Sequence, residues 1–304
     1  MRFPIKWLFF VLTLNSWCLE CHRQIVQISI PKAGTHLLYK CVQLLTARKY
    51  ADPKNFTRDM RYRVSMEDLE ALTNLSANEL WVTHLFYKEE YAKVFKEKNV
   101  ATLFMYRDPR DQVVSFAFYM LEHKEAWPQA SMMSFDNLLL DIINNGTVFN
   151  DYPPVKGVRE LYESYLPWLD DPNVLSIRFE DLVGPKGRKD PQEDQLQVIK
   201  RIIQYLGLSI PESTIYNIAQ SLFGDIEGTF REGKIGSWKK YFKQHHIDAF
   251  KAAAGDLLIK LGYEQDMNWG TCDENVPAGK NTFCTRDECE TFRQAQDDRE
   301  KLPA

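Results

Sequence analysis

Short apolar runs alternate with longer amphipathic stretches along most of this chain. Ile25-Val-Gln-Ile-Ser-Ile30 is an apolar run of strand length, stopped by Pro31. Apolar residues then recur at Leu37, Leu38, Cys41, Leu44 and Leu45, which predicts a helix from about Gly34 to Lys49. Leu80-Trp-Val-Thr83 predicts a second strand ending at His84, and Val100-Ala-Thr-Leu-Phe-Met-Tyr106 a third, ended by Arg107-Asp-Pro109. Asp108 can cap the next helix and Pro109 suits its first turn, with Val113, Val114, Phe116 and Phe118 continuing the apolar face. Val174-Leu-Ser-Ile177 is a fourth strand. Further helical patterns run over residues 192–206, 212–222 (opened by Pro211) and 247–261 (closed by Gly262). Residues 224–236 are glycine-rich and polar and are expected to form a loop, as are residues 129–151. Short strands alternating with helices imply βαβ units. The expected fold is a three-layer α/β domain, its central parallel sheet flanked by helices.

The amino terminus is a separate matter. Arg2 and Lys6 precede an apolar run from Trp7 to Leu14, followed by Asn15-Ser16-Trp17-Cys18. A charged start and an apolar core of this length have the form of a secretory signal peptide. The run is too short for a transmembrane anchor, which needs about 20 apolar residues. The alternative is a first strand or helix packed on the domain, in a cytoplasmic protein. The expected organisation is residues 1–23 as signal peptide, 24–265 as the domain and 266–304 as a cysteine-bearing tail, placing the protein in the secretory pathway.

Composition narrows the function. The chain has 304 residues, 44% of them hydrophobic, enough for a proper core. Its net charge of −4 gives no support for a nucleic-acid binder, so any anion site must be local. Of six cysteines, Cys18 and Cys21 fall in the signal region, Cys41 in a predicted helix, and Cys272, Cys284 and Cys289 in the tail. Outside the signal region no pair has zinc-like spacing, no metal site is expected, and an exported chain could form a tail disulfide from Cys272. Sequons begin at Asn55, Asn74 and Asn145, and would matter only in a eukaryotic lumen.

Four constellations carry chemistry. Ile30-Pro-Lys-Ala-Gly-Thr-His36 lies where a strand turns into a helix, and there backbone N–H groups and the helix dipole favour a phosphate. Lys32 adds charge and Thr35 a hydroxyl, but the Walker A pattern is absent. In Tyr106-Arg-Asp-Pro-Arg-Asp-Gln-Val-Val-Ser115, an arginine at a strand end and a serine eight residues later can converge on one phosphate. A surface pair between Arg107 and Asp111 is the plainer alternative. Phe230-Arg-Glu-Gly-Lys-Ile-Gly-Ser-Trp238 describes a basic loop able to close over a nucleotide. His84 ends a parallel strand, at the edge where α/β folds bind ligands.

Taken in order, Pro31-Lys-Ala-Gly-Thr35, Thr83-His-Leu85, Tyr106-Arg-Asp-Pro-Arg-Asp111 with Ser115, Phe179-Glu-Asp-Leu182 and Arg231-x-Gly-x-x-Gly-x-Trp238 resemble the sulfotransferase superfamily that uses 3′-phosphoadenosine 5′-phosphosulfate (PAPS). The resemblance is closest to the cytosolic-type domain and covers about residues 25–265. It implies a P-loop-like phosphosulfate-binding turn made by Lys32, Ala33, Gly34, Thr35, His36 and Leu37, with Lys32 on the bridging oxygen. It implies that Arg107 and Ser115, with Arg231 and Gly233, bind the 3′-phosphate, that Phe179 lies beside the adenine, and that His84 is the catalytic base. Leu37, Val82 and Glu232 depart from the family's usual aromatic, lysine and lysine at those positions.

The implied reaction is sulfuryl transfer from PAPS, without a metal, to a hydroxyl or amine of a small-molecule or glycan acceptor. Residues 129–151 would help shape the acceptor pocket, and they carry no readable code for its occupant. Two rival readings are a catalytically inactive nucleotide-binding module on the same fold and a P-loop nucleotide kinase, the latter lacking its Walker loop.

Overall fold

In the computed structural model of the chain, which describes residues 23–51, 61–76, 78–149, 155–185, 192–223 and 233–270, all four expected strands form and a fifth joins them. They are β1 (Ile25–Ser29), β2 (Lys49–Tyr50), β3 (Glu79–Thr83), β4 (Ala101–Tyr106) and β5 (Val174–Arg178), all parallel, in the order β2-β3-β1-β4-β5. Ile28 lies opposite both Thr83 and Phe104, so the carboxyl ends of β3 and β4 flank that of β1. The helices are α1 (Thr35–Thr46), α2 (Met66–Leu72), α3 (Glu89–Glu97), α4 (Pro109–Glu122), α5 (Phe135–Asn144), α6 (Gly157–Glu163), α7 (Leu166–Asp170), α8 (Phe179–Leu182), α9 (Gln192–Leu206), α10 (Glu212–Leu222), α11 (Trp238–Tyr241) and α12 (Gln244–Lys260). Among the described residues no helix is long and apolar enough to cross a membrane.

The described residues pack as two compact units, one of those from 23 to 107 and from 161 to 235, the other of those from 108 to 160 and from 236 to 270. The first unit contains the sheet. Its core joins Ile25, Leu103 and Met105 of the strands to Leu38 and Cys41 of α1 and to Ile199, Ile202 and Ile218 of α9 and α10. Burial pushes the Cys41 thiol up to about 12, which leaves it an inert core residue. Helices α9 and α10 keep their predicted bounds, because each carries an apolar stripe at helical spacing. Helix α1 stops three residues short of its prediction. Ala47 takes a left-handed conformation (φ 57°) and its N–H returns to the Gln43 carbonyl at 2.7 Å, which frees Lys49 and Tyr50 to pair with Glu79 and Leu80.

The second unit is helical. Asp108 caps α4 as expected, its carboxylate accepting from the Arg110 amide at 2.9 Å. The expected loop over residues 129–151 is corrected: the Ser134 hydroxyl accepts from the Asn137 amide and starts α5, which buries Leu138, Leu139, Ile142 and Ile143. Helix α12 begins three residues before its prediction, where the Lys243 amide donates to His246 Nδ1 at 3.0 Å. Residues 1–22 of the expected signal segment, five of the six cysteines, Asn55, Arg231, Glu232 and the tail beyond 270 lie outside the described residues.

Candidate active site

The turn from Ile30 to Gly34 carries the sheet's central strand into α1. Lys32 stands at φ 66° and Gly34, the residue before the helix, at φ 105°. A left-handed lysine costs on the order of 1 kcal/mol, and such residues concentrate where a turn aims backbone N–H groups at a ligand. A side chain on Gly34 would meet Phe179 Cδ2 at 2.6 Å and Met105 Sδ at 3.1 Å, so only glycine fits there without displacement. The turn is held from below by two polar residues of β1. Gln27 Nε2 donates to the Thr35 carbonyl at 2.7 Å, and the Ser29 and Thr35 hydroxyls bond each other at 2.7 Å. Both β1 residues are fully buried, which explains their place in an apolar run.

His84 follows β3, beside this turn. Its Nδ1 donates to the Ser29 carbonyl at 2.7 Å, which fixes the proton there and leaves the lone pair on Nε2. Tyr62 stacks on the ring with centroids 5.8 Å apart, and Tyr165 Oη donates to the His84 carbonyl at 2.6 Å. The His84 amide donates to the Arg61 carbonyl at 2.9 Å. Burial pushes the imidazole down to about 4; the bond to Ser29 opposes this, and the charges of Arg61, His36 and Lys32 add to it. The ring is therefore neutral at pH 7, the state a proton acceptor requires. His36, on the first turn of α1, is also lowered, by partial loss of solvent and then by Lys32.

Arg107 follows β4. Its guanidinium lies over the Phe179 ring at 4.4 Å, and Nη2 donates to the Lys234 carbonyl at 2.8 Å. Tyr162 Oη fixes its backbone through the Arg107 carbonyl at 2.9 Å. Phe179 is buried, backing Gly34 and carrying Arg107; in this geometry it organises two neighbouring pieces of the site. Gly233, at φ 61°, begins the described end of the glycine-rich loop. Ser115 lies on α4, half-buried, in the second unit.

The rest of the Tyr106–Asp111 motif proves to be framework. Asp111 accepts from the Gly236 and Trp238 amides, each at 2.8 Å, fixing the far end of the loop. Arg110 bonds Asp108 and Glu264 and lies against Trp238 and Trp269 at 4.2 and 4.8 Å. Sequence reasoning missed Arg61, Tyr62, Gln27 and Ser29. Polar residues inside a strand were the available signal for the last two.

A left-handed turn at the head of a helix, on the carboxyl edge of a parallel sheet, with a histidine and an arginine supplied by the flanking strands, is the arrangement of an α/β transferase. Comparison supplies the family: the sulfotransferase domain matches residues 22–262, and the chain belongs to that family. It is 26% identical over 262 residues to mouse sulfotransferase 6B1, spanning 78% of each chain. It is 24% identical over 253 residues to rabbit amine sulfotransferase, spanning 77% of this chain and 78% of the relative. Among solved structures it is similar in fold to mouse sulfotransferase SULT7A1 complexed with PAP, with a TM-score of 0.58, 20% identity and coverage of 84% and 91%. Retinol dehydratase in complex with androsterone and the inactive cofactor PAP matches with a TM-score of 0.50 at 18% identity, over 77% of this chain and 80% of that one. The chain is a sulfotransferase, moving a sulfuryl group to an acceptor.

Proposed function

We propose that the donor is PAPS and that His84 Nε2 takes the acceptor's proton as its hydroxyl or amine attacks sulfur. The bond from His84 Nδ1 to the Ser29 carbonyl carries this reading, because it presents an unprotonated Nε2 next to the turn. The turn suits the donor's phosphosulfate: Lys32 and the first amides of α1 supply positive charge where charge develops on the leaving phosphate. Arg107, held on Phe179, would grip the 3′-phosphate, with Ser115, Arg231 and Gly233 as its expected partners. The PAP complexes of similarly folded proteins support the same choice of nucleotide. The acceptor would be a small molecule or glycan, and the protein would work in the lumen of the secretory pathway, the latter argued from its amino-terminal sequence alone.

An acceptor screen with labelled PAPS, spanning phenols, steroids, glycans and peptides, tests the reading. Label transfer by the wild type and its loss in His84→Ala are expected. Tight binding of 3′,5′-ADP with no transfer to any acceptor would instead favour an inactive nucleotide-binding module.

A further inference from the structure

We propose that Asn74 carries an N-linked glycan and that the first sugar of this glycan rests in an open cavity beside it. The inference rests on the secretory reading above, because such a glycan is added in a eukaryotic lumen.

Two independent features carry it. The first is the way the fold displays the sequon Asn74-Leu75-Ser76. The segment joins α2 to β3, and Asn74 and Ser76 are both exposed. Asn74 Nδ2 donates to the Glu70 carbonyl at 2.8 Å, which aims the side chain. An amide nitrogen has two protons and a glycosidic bond replaces only one, so this hydrogen bond survives the modification. Gln24 Nε2 donates to the Leu75 carbonyl and fastens the segment to the residue before β1.

The second feature is the cavity itself. It has a volume of about 530 Å³, is open to solvent, and is lined by Asn74 together with Arg23, Gln24, Thr73, Lys98 and Asn99. That volume falls within the range of small-ligand sites. The lining is rich in hydrogen-bonding groups and holds no carboxylate, which suits a neutral sugar bearing hydroxyls and an amide. Arg23 spends its guanidinium on the carbonyls of Asn99, Val100 and Tyr205, so it offers little to a free anion.

The place of the glycan fits an enzyme. Asn74 precedes β3 and His84 follows it, and the five residues of that strand separate the two by roughly 16 Å. The sugar chain therefore grows from the amino edge of the sheet and leaves the carboxyl edge open. In the folded chain the Ser76 hydroxyl donates to Glu79 Oε2 at 2.7 Å, and the Glu79 amide donates to the Ser76 carbonyl at 3.0 Å. The sequon hydroxyl is thus committed to the turn that starts β3, which assigns the transfer to the emerging chain. In that step a bond forms between Asn74 Nδ2 and the anomeric carbon of an N-acetylglucosamine. The bond from that carbon to the diphosphate of a lipid-linked oligosaccharide breaks, its electron pair leaves on the phosphate oxygen, and Nδ2 gives up one proton.

The test is the full chain made in a eukaryotic secretory host, with its amino terminus sequenced. Peptide N-glycosidase converts a glycosylated asparagine to aspartate, and mass spectrometry of the peptides separates Asn74 from the sequons at Asn55 and Asn145. Conversion at Asn74 is expected in the wild type and in Ser76→Thr, and its loss in Ser76→Ala. With glycans trimmed by an endoglycosidase to one sugar per site, the wild type should melt about 2–4 °C above both Asn74→Gln and Ser76→Ala, as for one or two added hydrogen bonds. Equal melting temperatures would overturn the seating of the sugar in the cavity. An amino-terminally processed chain with Asn74 unmodified overturns the whole inference and leaves the secretory reading standing. If the chain keeps Met1 and stays in the cytosol, the secretory reading falls and this inference with it.

Discussion

The Nδ1 proton of His84 is held by the Ser29 carbonyl at 2.7 Å, and this bond decides which ring nitrogen is left to accept another. His84→Ala is expected to lower turnover by about 10²–10⁴-fold, the usual range for loss of a general base, with 3′,5′-ADP affinity nearly unchanged. Lys32→Ala should damage both, because the contact proposed between Lys32 and the donor would exist before reaction as well as during it. Kinetics beside calorimetry separate the two patterns. Unaltered turnover in a folded His84→Ala protein would assign the base elsewhere.

The same histidine sets a pH dependence of stability. Its pKa is about 4 in the folded chain and near 6.5 when unfolded, so the unfolded state binds more protons between these values. Stability is unaffected by His84 above about pH 6.5 and falls as pH drops from there toward 4. His84→Gln should flatten that slope in urea unfolding measured from pH 7 to 4.5. His36 and His246 are shifted in the same direction and add to the slope in both proteins, so the difference between the two curves isolates His84.

Arg107 combines a charge with a fixed plane, stacked on Phe179 and tied to Lys234. Arg107→Ala should weaken 3′,5′-ADP about tenfold to hundredfold, and an analogue lacking the 3′-phosphate far less. Arg107→Lys keeps the charge but not the planar fork, and should recover only part of the loss. Equal losses for both nucleotides would make Arg107 a structural residue.

Gly34 is constrained twice, by its φ of 105° and by the Phe179 ring. Gly34→Ala combines backbone strain with overpacking, each on the order of 1–3 kcal/mol. A clear fall in melting temperature is expected, together with weakened nucleotide binding as the turn shifts. A variant with wild-type stability would show that Phe179 yields readily.

Amino-terminal sequencing of the protein from its native host is expected to begin between residues 19 and 24. The structure favours the early part of that range. Arg23 donates to the carbonyls of Asn99, Val100 and Tyr205 at 3.1–3.2 Å, ties that cleavage beyond it would remove. An intact Met1 in soluble cytoplasm would rule out the signal peptide.

What could be read from the sequence was whatever is local. Helices α9 and α10 were bounded to the residue because their burial pattern is written into their own spacing. The motif order placed Lys32, His84 and Arg107 at the ends of adjacent strands, and parallel pairing puts all three on one edge. Strand β2 escaped notice because its two residues are exposed, and its pairing with Glu79 and Leu80 is some 30 residues distant. Arg61 and Tyr62 reach His84 by a similarly distant contact, and nothing in their own segment announces it. Helix α5 is a different case. Its cap at Ser134 and its apolar spacing are present in the sequence, but the polar residues around them favour a loop.

The left-handed lysine has a consequence for anyone evolving this protein in the laboratory. Glycine at position 32 would relieve roughly 1 kcal/mol of backbone strain, and would return about 0.5–1 kcal/mol as added freedom of the unfolded chain. Those amounts nearly cancel, so the backbone by itself gives almost no preference for lysine over glycine there. As far as the backbone decides, a library selected only for surviving heat would let position 32 drift, whereas one selected for product is expected to hold it. The divergence between two such libraries, mapped around the turn, would mark the boundary between the residues that build this protein and the residues that work in it.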